Sequence, residues 1–214
     1  MESRRFTSKK RYVAAIIIGT LAFLLVFIVS YSLSYLELQR VSNLQTGIGY
    51  DIFEDKLDYS FFNEPICDIG SFDKISQDLG FQGRIIDDLE RKLGKQDEGV
   101  LVRKKFYSLI EIEHLEFVKT INLKCREKIN TILFFYSNNE SQLDESEETG
   151  RILGVLSSRN EDLMIYSFDV DLASELVDKL EKKYNITNSP VIVINEKTKI
   201  EMPVNINEIE AYLN

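Results

Sequence analysis

The feature that most constrains this chain is a run of 25 uncharged residues, Tyr12 to Leu36. It holds Ile16-Ile17-Ile18 and the stretch Leu21 to Val29, and it has no polar face. As a helix it reaches roughly 37 Å at ~1.5 Å per residue, enough to cross a ~30 Å hydrocarbon core with some tilt. A cleaved signal peptide would carry an apolar region of ~7–15 residues ending in a small-x-small site. This run is longer, and Ser30-Tyr31-Ser32-Leu33-Ser34 makes a poor cleavage site. A core helix of a soluble protein would show a polar side. The sequence therefore predicts a transmembrane anchor over 12–36. Before it stand Arg4, Arg5, Lys9, Lys10 and Arg11 against Glu2 alone, while Glu37 and Arg40 behind it cancel. Positive flanks stay in the cytoplasm. Residues 1–11 are thus expected to form a cytoplasmic basic tail, and the chain beyond the anchor is expected to be extracytoplasmic, tethered to the cell membrane by one pass.

Beyond residue 11 the chain carries 21 cations and 34 acids, a net charge of -13. An acidic surface argues against nucleic acid and against docking on anionic lipid, and it keeps a domain soluble. One histidine (His114) and two cysteines do not furnish an ordinary zinc site, which takes three or four nitrogen or sulfur ligands. No P-loop, dinucleotide-binding glycine motif or Gly-x-Ser-x-Gly occurs. No metal, cofactor or catalytic residue is expected. His114 reads as a helix-face residue.

Residues 37–66 read as a linker, broken by Gly47, Gly49 and Pro65, with a short helix over Asp51 to Phe62. A helical hairpin is expected over 67–129. Phe72, Ile75, Leu79, Ile85, Ile86, Leu89 and Leu93 recur at helical spacing, with Ser71 as N-cap and Gly94 as the stop. Gly94 to Gly99 reads as a turn. A second helix runs to about Lys124, with Phe106, Leu109, Ile110, Leu115, Phe117, Val118 and Ile121 on its inner side. Two such helices joined by a short turn pack antiparallel. Cys67, just before the first, therefore meets Cys125, at the end of the second. Outside the cytoplasm a disulfide between them persists. A structural disulfide is the favoured reading; two unrelated buried thiols and a redox-active pair are the alternatives.

From Asn130 the pattern becomes strand-helix-strand-helix-strand-strand-helix. Thr131 to Tyr136, Leu163 to Phe168, Pro190 to Ile194 and Lys199 to Val204 are the strands. Asp144 is expected to cap the first helix, which runs to about Ser158, and Asp171 the second, which carries Leu176, Val177, Leu180 and Tyr184. Ile206 to Leu213 is expected as the closing helix. The stretches Leu133-Phe134-Phe135-Tyr136-Ser137, Tyr166-Ser167-Phe168-Asp169-Val170-Asp171 and Lys183-Tyr184-Asn185-Ile186-Thr187-Asn188-Ser189-Pro190-Val191-Ile192-Val193-Ile194-Asn195 resemble the signature stretches of thioredoxin-like domains. About 85 residues, 130–214, share this resemblance. The whole chain is also similar to small prokaryotic membrane-anchored proteins that carry such a domain behind a helical hairpin. The fold class expected is α/β: a transmembrane helix, an α-helical hairpin and a thioredoxin-like βαβαββα domain.

The resemblance implies a cis bond before Pro190, and pairing of an extended peptide with the backbone at Ser189 and Pro190; otherwise Pro190 is a strand-edge proline after a turn. It also implies a Cys-x-x-Cys at the start of the first helix, where the helix dipole lowers a thiol pKa. With Gly150 aligned to a glycine that follows that motif, Leu143 and Ser146 occupy the two thiol positions. A serine does not exchange with disulfides, so the family's redox chemistry is not expected. The reading that follows is a tethered, non-catalytic module that binds a peptide or protein. Two alternatives stand beside it: a thiol-disulfide oxidoreductase using Cys67 and Cys125, or a structural protein of membrane assembly.

Overall fold

The computed structural model describes residues 3–57, 67, 69–125, 127–160, 162–203 and 205–213. The chain divides into two compact units, Met1–Val41 and Ser42–Asn214. Helix α1 spans Ser3–Leu57. Among the described residues one helix is long and apolar enough to cross a membrane, Lys9–Arg40, and its apolar window is entirely unburied. That exposure removes the soluble-core reading of the run. The break expected at Gly47 and Gly49 is not found, because both lie within α1. A glycine in a helix costs only about 1 kcal/mol relative to alanine, which neighbouring turns absorb. Pro65 and Phe62 lie outside the described residues.

In the second unit, α2 (Ile69–Leu93) and α3 (Glu98–Lys124) form the hairpin. Gly94 ends α2 in the left-handed region at φ 96°, its amide donating to the Glu90 carbonyl at 2.9 Å. Glycine suits this position because it has no Cβ to oppose a positive φ. Asp97 caps α3, accepting from the Val100 amide at 3.1 Å. Ser71 is not a cap: α2 begins two residues earlier, and Ser71 lies in its first turn.

Four strands follow: β1 (Asn130–Tyr136), β2 (Leu163–Asp169), β3 (Val191–Ile194) and β4 (Thr198–Glu201). They form one sheet in the order β2-β1-β3-β4. β1 and β2 are parallel, while β3 runs antiparallel to both β1 and β4. Helix α4 (Leu143–Arg159) joins β1 to β2, α5 (Glu175–Tyr184) joins β2 to β3, and α6 (Ile206–Glu210) follows β4. The Ser189–Pro190 bond is cis. Two caps differ from expectation. Asp144 sits inside the first turn of α4, whose N-cap is Gln142, and α5 starts after Ser174, leaving Asp171 free for the loop described below.

β1 is buried on both faces, as its continuous apolar run requires. Leu133 and Phe135 join Tyr166, Phe168 and Val193 under Ile75 and Leu79 of α2, Ile110 and Leu115 of α3, and Val177 and Leu180 of α5. Ile132 and Phe134 face the other way, with Ile192, Ile194 and Ile200, under Leu153 and Leu156 of α4 and Ile209 of α6. Hairpin and sheet thus share one core.

α3 also closes one edge of the sheet. Adjacent residues of a strand point their amides in opposite directions. The Asn130 amide reaches the Asp162 carbonyl and the Val170 amide the Tyr136 carbonyl, so the even residues of β2 face β1 and the odd ones face outward. The outward amide of Ser167 is taken by Glu111 Oε1 at 2.8 Å.

The inner stripe of α3 differs from the expected one. Phe106 and Leu109 are exposed, whereas Val100, Lys104, Ser108, Glu111, His114, Leu115 and Val118 are buried. Lys104, Glu111 and His114 hold inward positions there because each finds a partner across the hairpin or on the sheet, while Ser108 donates back to the Lys104 carbonyl of its own helix at 3.0 Å.

Candidate functional site

The C-terminal ends of β1 and β2 open into a cleft of about 590 Å³ between α4 and the hairpin. Its floor is Phe134 and Tyr136 of β1 with Ser167 and Asp169 of β2. One wall is the face of α4 bearing Leu143, Ser146, Glu147, Gly150 and Arg151; the other is Gly83, Ile86, Asp87, Glu90 and Arg91 of α2, with Lys104, Tyr107 and Ser108 of α3 behind. Both walls repeat at helical spacing, so each helix presents one face to the opening. Tyr107 crosses so close to Gly83 that a Cβ there would stand 2.7 Å from its hydroxyl. Any larger residue there would require the Tyr107 ring to shift.

Lys104 anchors the deep end. Its ammonium meets Glu90 Oε1 at 2.6 Å and bonds Asp169 Oδ2, and it lies 5.2 Å from the centre of the Tyr136 ring. Burial disfavours the ammonium, but the influence of Tyr136, Asp169 and Glu90 outweighs it and holds Lys104 above the ordinary lysine range. The remaining lining cations are matched as well: Lys95 meets Glu147 at 3.4 Å across the rim, Arg91 meets Asp87 and Asp88, and Arg151 meets Glu148. The opening therefore offers aromatic and apolar surface with little net charge.

The β1–α4 loop is held by two acids. Asp171 accepts from Ser137 Oγ at 2.7 Å and from the Asn138 amide at 2.8 Å, while Asp169 accepts from Asn138 Nδ2 at 2.7 Å. Ser146 is buried, and its hydroxyl accepts from the Ser137 amide at 3.1 Å. Leu143 is half-buried on the cleft wall. Neither carries a thiol. Ser189 and Pro190 lie at the same end of the sheet but behind the wall: both are buried, and Ser189 Oγ donates to Gln142 Oε1 at 2.8 Å. Gln142, in the loop that precedes Leu143, is thus bonded to the residue before the proline.

Cys67 and Cys125 form a disulfide, with Cα atoms 5.6 Å apart. It lies at the other end of the sheet, where Cys125 packs with Phe72, Phe117, Val118, Ile121 and Ile129, just before β1 begins. The seven residues of β1 separate it from the Ser189 end, about 20 Å at ~3.3 Å per residue. The cysteines and the proline segment are not brought together. Among the described residues no group of His, Cys, Asp and Glu is placed to hold a metal ion.

Two buried titratable groups support this architecture from α3. Tyr166 Oη and Ser76 Oγ lie 2.9 and 3.1 Å from the two ring nitrogens of His114, and Ser76 Oγ donates to the Phe72 carbonyl at 2.9 Å. That chain assigns a neutral ring that accepts from Tyr166 and donates to Ser76. Burial pulls His114 from 6.5 down to about 4. The unfolded chain then binds a proton that the folded chain refuses, so stability falls as pH drops through this window. Between pH 7 and pH 5 the loss expected from His114 alone is about 2 kcal/mol. Denaturant titrations of wild type and His114→Gln at both pH values check it, the variant losing correspondingly less. Glu111 acts in the opposite direction. Burial, only partly offset by the Ser167 amide and Lys104, raises its carboxyl well above 4.5. Its contribution is present in acid and is lost as pH rises. Glu111 Oε2 has no partner among the described residues, which protonation makes tolerable.

No family model matches the chain, and neither a curated protein nor a solved structure is significantly similar to it.

Proposed function

We propose that this chain is a membrane-anchored, extracytoplasmic binding module: a thioredoxin-like domain without redox cysteines that holds an extended peptide or a protein partner and catalyses no reaction. The observation that carries this reading is the content of the cleft at the head of α4. Leu143 and a buried, hydrogen-bonded Ser146 stand where the resemblance calls for a thiol pair, yet the space beside them stays open. The element order β1-α4-β2-α5-β3-β4-α6 agrees with the resemblance. The two cysteines are bonded to each other a strand's length away, which speaks against their replacing the missing pair. The outward orientation rests on the charge bias before the anchor.

The test uses full-length protein in right-side-out vesicles, with a random peptide library added outside. Peptides should be retained by wild type and lost from Gly150→Trp, which fills the cleft from its α4 wall, while circular dichroism stays unchanged. The same vesicles should reduce no insulin disulfides, and external protease should remove the domain. Retention indifferent to Gly150→Trp, insulin reduction by the protein, or protection from protease would each overturn the corresponding part of the reading.

A further inference from the structure

The two edges of the sheet are treated differently. The hairpin closes the β2 edge through Glu111, whereas β4 is the opposite edge. The ladder fixes which of its groups face outward. The Met202 amide donates to the Pro190 carbonyl at 3.0 Å, and the register pairs Ile192 with Ile200 and Ile194 with Thr198. By antiparallel alternation the even residues of β4 bond β3, and Lys199 and Glu201 point their amides and carbonyls away from the sheet. Among the described residues nothing pairs with those four groups.

We infer that β4 pairs antiparallel with β4 of a second copy about a two-fold axis through Ile200, joining two four-stranded sheets into one. Charge selects both the occupant and the register. Outward residues must face each other for the amides and carbonyls to bond. Centring on Ile200 places Lys199 opposite Glu201 of the second copy, twice by symmetry. Shifting by one residue in either direction about the axis places Lys199 opposite itself or Glu201 opposite itself, and like charges directly opposed are unfavourable. Pro203, which lacks an amide hydrogen, ends the pairing on one side. Met202, 54% exposed beside the edge, turns into the left-handed region at φ 47° and ends the extended stretch after Glu201. Short length and a lysine are also devices by which proteins keep an edge unpaired. Here the lysine is matched two residues on by an acid, which makes the edge self-complementary. The membrane helix confines copies to one bilayer and raises their effective concentration, so a short edge suffices.

The test is energy transfer between fluorophore-labelled full-length copies in lipid vesicles at graded protein density. Wild type should associate. Lys199→Glu and Glu201→Lys each place like charges across the axis and should weaken association about tenfold. The double swap Lys199→Glu with Glu201→Lys restores opposite charges and should restore association. All four proteins should share one circular dichroism spectrum, since the contacts Lys199 makes within its own chain, to the Asn185 carbonyl at 3.1 Å and to Glu201 at 3.4 Å, lie at the surface. A wild type that is monomeric at every density would overturn the inference. So would single reversals that associate as wild type does, or a double swap that fails to recover.

Discussion

Replacing Lys104 by alanine should lower the stability of the second unit by about 3–5 kcal/mol, the range for breaking a buried ion pair from one side. The side chains of Lys104, Asp169 and Glu90 are 6%, 4% and 10% exposed, so removing the cation leaves two carboxylates without their compensating charge in a poorly solvated place. The loss has a second consequence. Asp169 also holds Asn138, so the β1–α4 loop should loosen with it. Chemical denaturation gives the energy, and hydrogen exchange at Ser137 to Asn139 reports the loop. The variant Lys104→Met with Glu90→Gln and Asp169→Asn should recover much of the stability, because it removes the stranded charges along with the cation. If Lys104→Ala cost no more than an exposed pair, under about 1 kcal/mol, the network would be a surface feature.

Removing the disulfide should cost about as much by another route. The bond closes a loop with a sequence separation of 58, for which the chain-entropy relation gives about 4 kcal/mol, acting through the unfolded state. Cys67→Ser with Cys125→Ser should therefore shift the denaturation midpoint strongly while leaving the cleft unaltered at the far end of β1. Peptide retention at low temperature should persist. Loss of binding from a protein that is still folded would show the cysteines to be part of the site.

How far these features were legible beforehand follows from how each residue signals. The long apolar helix was plain because absence of charge over so long a run is a property of sequence alone. The strands were plain because β1 and β3 are apolar on both faces. Juxtaposition of Cys67 and Cys125 followed from two helices of near-equal length. The cleft was not legible. Its floor and walls come from five separate elements, and its key cation, Lys104, looks like any solvated lysine until Asp169 is brought to it. The inner face of α3 was misread for the same reason: Lys104, Ser108, Glu111 and His114 hold positions that apolar periodicity assigned to Phe106 and Leu109. Asp144 and Asp171 carried genuine capping chemistry, but the local geometry used Gln142 and Ser174 as the boundaries and spent Asp171 on the loop. Residue type fixes what a group is able to do, and only the fold decides which neighbour it does it with.

On the proposed reading, a partner that moves puts the tethered domain under tension. Without a crosslink, a pull delivered through the anchor could draw out both hairpin helices in turn. With Cys67 joined to Cys125, the covalent path bypasses everything between them. Roughly 200 Å of contour, at ~3.4 Å for each of 58 residues, is withheld from extension. In the oxidised chain the hairpin is shielded from the load line, and a steady pull reaches β1 directly, at its Asn130 end. Oxidation state thereby sets how far this molecule stretches before its sheet is engaged.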